Sequence, residues 1–94
     1  MEGESEKGAR RIMKLNETVE MMNSQDFKER FKAEYLQLKI RMEGLSSMLK
    51  KYKEGTLNFK PKCSYEVLYK QLVYMEDYLN VLKERAEIEN IELN

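Results

Sequence analysis

The sequence predicts an all-α protein, a short N-terminal helix followed by a long antiparallel helical hairpin that oligomerises. Three observations carry this. Apolar residues recur at steps of three and four through most of the chain, the spacing of one helix face. Two long periodic segments are separated by a loop of about ten residues carrying Gly55, Asn58 and Pro61, so the second must fold back on the first. No stretch alternates apolar and polar residues as a half-buried strand does, and no internal repeat appears.

Residues 1–8 hold Glu, Gly, Ser and Lys with nothing to bury, and are expected to form a disordered tail ahead of a single helical domain spanning 9–94. Ile12, Leu15, Val19 and Met22 step by three, four and three, which predicts a short first helix over 9–23. Asn23 and Ser24 close it, and Ser24 or Asp26 can cap the next helix, Asp26 with Glu29 as a capping-box variant.

The second helix is expected over 25–54, a rod of about 45 Å. Phe27, Phe31, Leu38, Met42, Leu45, Leu49 and Tyr52 form its stripe, bordered by Glu34 and Arg41. Gly44 weakens it by about 1 kcal/mol relative to Ala. Lys50, Lys51 and Lys53 suit its C-terminal dipole, and Gly55 is a natural left-handed stop. The loop follows, and Ser64 can cap the third helix, expected over 65–88. Its seam is Leu68, Leu72, Met75, Leu79, Leu82 and Ala86. Beyond it, Ile88, Ile91 and Leu93 fit either continued helix or packing across a neighbour.

Composition excludes several functions. Lys plus Arg number 17 and Asp plus Glu number 17 among 94 residues, so the chain is formally neutral. Long nucleic acids bind chiefly through excess basic charge, and are not the expected partner. The charge is uneven, however. Between Lys39 and Lys62 seven basic residues face only Glu43 and Glu54, a zone suited to a small anion. No apolar run is long enough for a membrane span, and MEGESEKGARR lacks signal-peptide chemistry. Cys63 is the single cysteine, so no intrachain disulfide forms and a reducing compartment, the cytoplasm, is expected.

Catalysis is not expected. The chain has no histidine, which removes the commonest general base and metal ligand. A lone Cys without His is a poor nucleophile, and no glycine-rich loop precedes a lysine. No catalytic residue, metal site or cofactor is therefore assigned. Recognition remains. Six tyrosines and three phenylalanines concentrate in the hairpin. Aromatic faces can stack on nucleobases, and Arg offers a planar fork to phosphate or a base edge.

The third helix carries a second stripe, Tyr74, Tyr78, Val81 and Arg85, beside its complete seam. The bland reading is packing against another subunit. The functional reading makes Tyr74, Tyr78 and Arg85 ligand contacts, joined by loop residues Thr56, Phe59 and Lys60. Arg85 stands out, because an Arg on an apolar stripe needs an anionic or acceptor partner once buried.

Glu34, Tyr35, Leu38, Arg41 and Leu45 form the pattern EY-x2-L-x2-R-x3-L. Leu68, Gln71, Leu72, Met75, Tyr78, Leu82, Arg85 and Ala86 form L-x2-Q-L-x2-M-x2-Y-x3-L-x2-R-A. Together they resemble the phage helical-hairpin signal sponges of the anti-CBASS and Thoeris anti-defence kind, over roughly residues 27–91. Gln71, Tyr78 and Arg85 are the members of the pattern that the heptad does not explain. The resemblance implies a homo-oligomer in the bacterial host cytoplasm. It would sequester a small cyclic nucleotide or cyclic ADP-ribose-type signal, uncleaved, in pockets between subunits, and it adds Gln71 and Arg41 to the candidate contacts. The rival expectation is a helical inhibitor or structural phage component acting by protein–protein contact.

Overall fold

A computed structural model describes residues 14–93. The expected tail over 1–8 and the expected first-helix residues 9–13 lie outside the described residues. Three helices follow in order: α1 (Val19–Met22), α2 (Phe27–Glu54) and α3 (Tyr65–Glu89), with a 3-10 turn over Leu15–Thr18 leading into α1. No strand occurs among the described residues.

The N-terminal element differs from its expected form. It is a 3-10 turn joined to a single α-helical turn, and its apolar stripe points outward. Leu15, Val19 and Met22 are 36%, 44% and 41% exposed, while Thr18 is fully buried. The Thr18 hydroxyl explains this outward orientation. It donates to the Leu15 carbonyl at 2.7 Å and accepts from Gln37 Nε2 of α2 at 3.1 Å, so its burial leaves no unsatisfied polar group. Ala33, one turn before Gln37 on the same face of α2, is likewise fully buried. Two small side chains permit a close approach that Leu or Met would prevent.

The hairpin helices begin and end on specific side chains. Asp26 adopts an extended conformation and accepts from the Lys28 N–H at 3.0 Å, starting α2. Gly55 stops it in the left-handed region at φ 79°, where the Gly55 and Thr56 N–H groups return to the Tyr52 and Lys51 carbonyls. Ser64 caps α3 by accepting from the Val67 N–H at 3.2 Å. Asn90, at φ 59°, ends it, and the Ile91 N–H bonds back to the Ala86 carbonyl at 2.8 Å. That reversal answers the question left by the C-terminal residues: Ile91 turns inward and is buried within its own chain, with Leu93 packed beside the same core.

The core joins the first half of α2 to the second half of α3 through Phe31, Tyr35, Leu38, Leu79, Leu82 and Ala86, closed by Ile91. Leu82 is 1% exposed and sits deepest. At one end the Lys28 ammonium reaches the Asn90 carbonyl at 3.5 Å. At the loop end Tyr52 meets Tyr65 edge-on with centroids 5.6 Å apart, and Tyr69 stacks on Tyr65 at 6.1 Å. The helices are therefore antiparallel along their length. Phe27, expected in the α2 stripe, is 46% exposed, with its ring centroid 6.1 Å from that of Phe31. No helix among the described residues is long and apolar enough to cross a membrane.

Candidate functional site

With the seam of α3 facing α2, its second stripe is left outside. Tyr74, Tyr78 and Val81 are 64%, 45% and 52% exposed. The stripe is longer than the sequence reading allowed, running back to Val67 and on to Ile88, both exposed. Val67 stands seven residues before Tyr74 and Ile88 seven after Val81, so the helical period already contained them. Val67, Lys70, Gln71, Tyr74, Met75 and Tyr78 line a shallow, mainly apolar depression of about 370 Å³. Three of the eight candidate contacts, Gln71, Tyr74 and Tyr78, thus share one surface.

Tyr78 is the hinge of this surface to α2. Its hydroxyl donates to the Glu34 carboxylate across the hairpin. This hydrogen bond to Glu34, then partial burial and the carboxylate's own charge, hold the phenol above its ordinary value of 10.0, while Arg85 pulls the other way. Arg41 lies seven residues beyond Glu34 on α2, and Gln71 seven residues before Tyr78 on α3. In an antiparallel pair both steps lead two turns toward the loop, so Arg41 and Gln71 stand level across the same side of the hairpin. Arg41 is exposed there.

Arg85 is two turns from Tyr78 in the opposite direction. Its guanidinium lies over the Phe31 ring, 4.8 Å from the centroid, and its Nε donates to Glu89 at 3.3 Å. The glutamate partner comes from the same helix, one turn on, rather than from a neighbouring one. With its side chain 44% exposed, the rest of the fork faces solvent, oriented by an aromatic platform. Phe31 as that platform was not legible from spacing, because it belongs to the other helix.

The loop residues stand apart. Thr56 Oγ1 donates to the Lys51 carbonyl at 3.5 Å and helps finish α2. Phe59 is 56% exposed and lies between two hollows at the closed end of the hairpin. One, of about 180 Å³, includes Lys60 and Tyr52; the other, of about 530 Å³, includes Thr56, Gly44, Ser47 and Lys51. From Tyr74 to the start of α3 is about 13 Å along the helix. Within one chain the eight candidates therefore form an α3-face group and a loop group. Among the described residues no cluster of three or more His, Cys, Asp or Glu could hold a metal ion.

Residues 25–88 match the profile of the family described as Sequestin. The chain belongs to the Sequestin family. The matched span contains α2, all of α3 except Glu89, and all eight candidate contacts, and it leaves the 3-10 turn and α1 outside. The Sequestin name is consistent with a sequestering, binding role. No curated protein and no solved structure matches the chain.

Proposed function

We propose that this Sequestin is a phage anti-defence sponge. It binds a small cyclic nucleotide or cyclic ADP-ribose-type immune signal in the bacterial host cytoplasm and holds it without cleaving it. The observation that carries the reading is the exposed face of α3: two tyrosines, a glutamine and an oriented guanidinium on one side of one helix.

The physical logic is direct. Tyr74 and Tyr78 offer aromatic surface for a base, worth about 1–3 kcal/mol per stacked base. Arg85, positioned over Phe31, offers a charge-assisted fork to phosphate, and Arg41 adds positive charge level with Gln71. A depression this open cannot enclose a nucleotide alone, so a homo-oligomer in which a neighbour supplies the second wall completes the site. Thr56, Phe59 and Lys60 then act from the loop of an adjoining subunit rather than from the chain that presents the α3 face. With no histidine in the sequence, the commonest general base is missing, which supports holding over cleavage.

Calorimetric titration against a panel of cyclic di- and trinucleotides and cyclic ADP-ribose isomers tests the proposal. Saturable binding of at least one, abolished in a Tyr74→Ala, Arg85→Ala double variant that keeps its helicity, is the expected result. No binding to any member of the panel, with the wild-type protein folded, would overturn it.

A further inference from the structure

Two apolar surfaces stand exposed among the described residues, and they lie on different elements. One is the depression on α3 lined by Val67, Lys70, Tyr74 and Tyr78. The other is the outward stripe Leu15–Val19–Met22 of the N-terminal element. The 3-10 turn and α1 pack on α2 and on each other but make no packing contact with α3. The element is held there by Gln37, which donates to Thr18 Oγ1 and to the Met22 sulfur, and by Arg30, which donates to the Ser24 carbonyl at 2.7 Å. It cannot lie against α3 of its own chain without leaving α2.

We propose that the Leu15–Val19–Met22 ridge of one copy docks into the α3 depression of the next. The dimensions agree. The ridge spans eight residues, and the depression runs from Val67 to Tyr78, about 16 Å along α3, so it accommodates two turns of helix. The charges agree as well. Glu20 flanks the ridge, and Lys70 sits on the wall of the depression. An exposed ion pair of this kind adds little affinity, but it fixes the direction in which the ridge lies. The contact is heterologous, so a docked pair keeps one free ridge and one free depression between its two copies, and assembly propagates until a ring closes.

This inference rests on the reading of the α3 face as an inter-subunit site and identifies what supplies its other wall. The family profile begins at residue 25, so the wall comes from an element outside the matched hairpin.

The test uses cysteine pairs and no ligand, so it is independent of whether any signal binds. In a Cys63→Ser background, which removes the exposed native thiol, Val19→Cys and Tyr74→Cys proteins are oxidised separately and as a mixture. Both positions are exposed, so neither change disturbs the core. The expected result is a cross-linked dimer in the mixture, none in either protein alone, and a ladder of higher species when one chain carries both cysteines. Self-cross-linking of Tyr74→Cys with no extra product in the mixture would overturn the proposal in favour of α3 pairing with α3. So would the absence of any cross-link. In sedimentation, Glu20→Lys or Lys70→Glu should lower the assembled fraction several-fold and the double swap should restore it; a swap that restores nothing would contradict the stated orientation.

Discussion

Tyr78 on α3 donates its phenolic proton to the Glu34 carboxylate on α2, joining the two hairpin helices across the same face that presents Tyr74 and Gln71. The bond fixes the ring at the edge of the depression. Tyr78→Phe removes the bond and keeps the ring. Because both groups are largely exposed, the expected loss is about 0.5–1.5 kcal/mol, measurable by urea denaturation with an unchanged m-value.

The same bond sets a pH dependence. The phenol is held above its ordinary value in the folded chain, so folding favours the protonated form. That stabilisation is present in full below about pH 10, and is lost as pH rises through the higher folded value. Ultraviolet titration of the phenolate band should show a late-ionising component among the six tyrosines, and that component should vanish in Tyr78→Phe. A titration identical in the two proteins would mean that Glu34 does not hold the proton in solution.

Two glycines should respond with opposite signs to alanine. Gly55 occupies φ 79° at the end of α2, so Gly55→Ala is strained and should cost about 1 kcal/mol. Gly44 lies inside α2 with nothing within 4 Å of an added Cβ, so Gly44→Ala should stabilise the helix by about 0.5–1 kcal/mol. Thermal melts of the two variants against the parent decide both signs.

At the centre of the core, Leu82→Ala should destabilise the chain by about 2–5 kcal/mol, because Leu82 is 1% exposed and the surrounding helices cannot close the void. Denaturant midpoints measure this directly. Val81→Ala, one position away on the exposed stripe, should change the stability of a dilute monomer by about 0.5 kcal/mol or less.

Much of the hairpin was legible because its physics is periodic. The Leu72–Leu79–Leu82 seam, the Ser64 cap and the Gly55 stop each follow from local rules that tertiary contacts do not override. The orientation of the short N-terminal element was not legible, for the opposite reason. Its apolar spacing was real, but a threonine satisfied by its own turn and by Gln37 made the closer fit to α2, and the stripe faced outward. At the site, the spacing of Tyr74, Tyr78 and Arg85 showed which side of α3 they share. It could not show that Arg85 rests on Phe31 or that Tyr78 binds Glu34, since both partners come from a helix some fifty residues away in sequence.

Arg85 separates ligand binding from assembly. If its fork takes a phosphate, Arg85→Ala should weaken binding by about 2–4 kcal/mol, and Arg85→Lys should recover part of that, since a point charge lacks the planar fork. The oligomer should survive in both, because the in-chain partners of Arg85 are Phe31 and Glu89. Titration and sedimentation on the same samples check the two expectations together.

The most direct test of sequestration is recovery of the signal. A cyclic nucleotide or cyclic ADP-ribose isomer that binds in the panel is incubated with excess protein until none remains free. The complex is then heated, and the released molecule is identified by chromatography and mass. The account predicts complete recovery of unmodified signal at every incubation time. A linear or hydrolysed product that accumulates with time would contradict it.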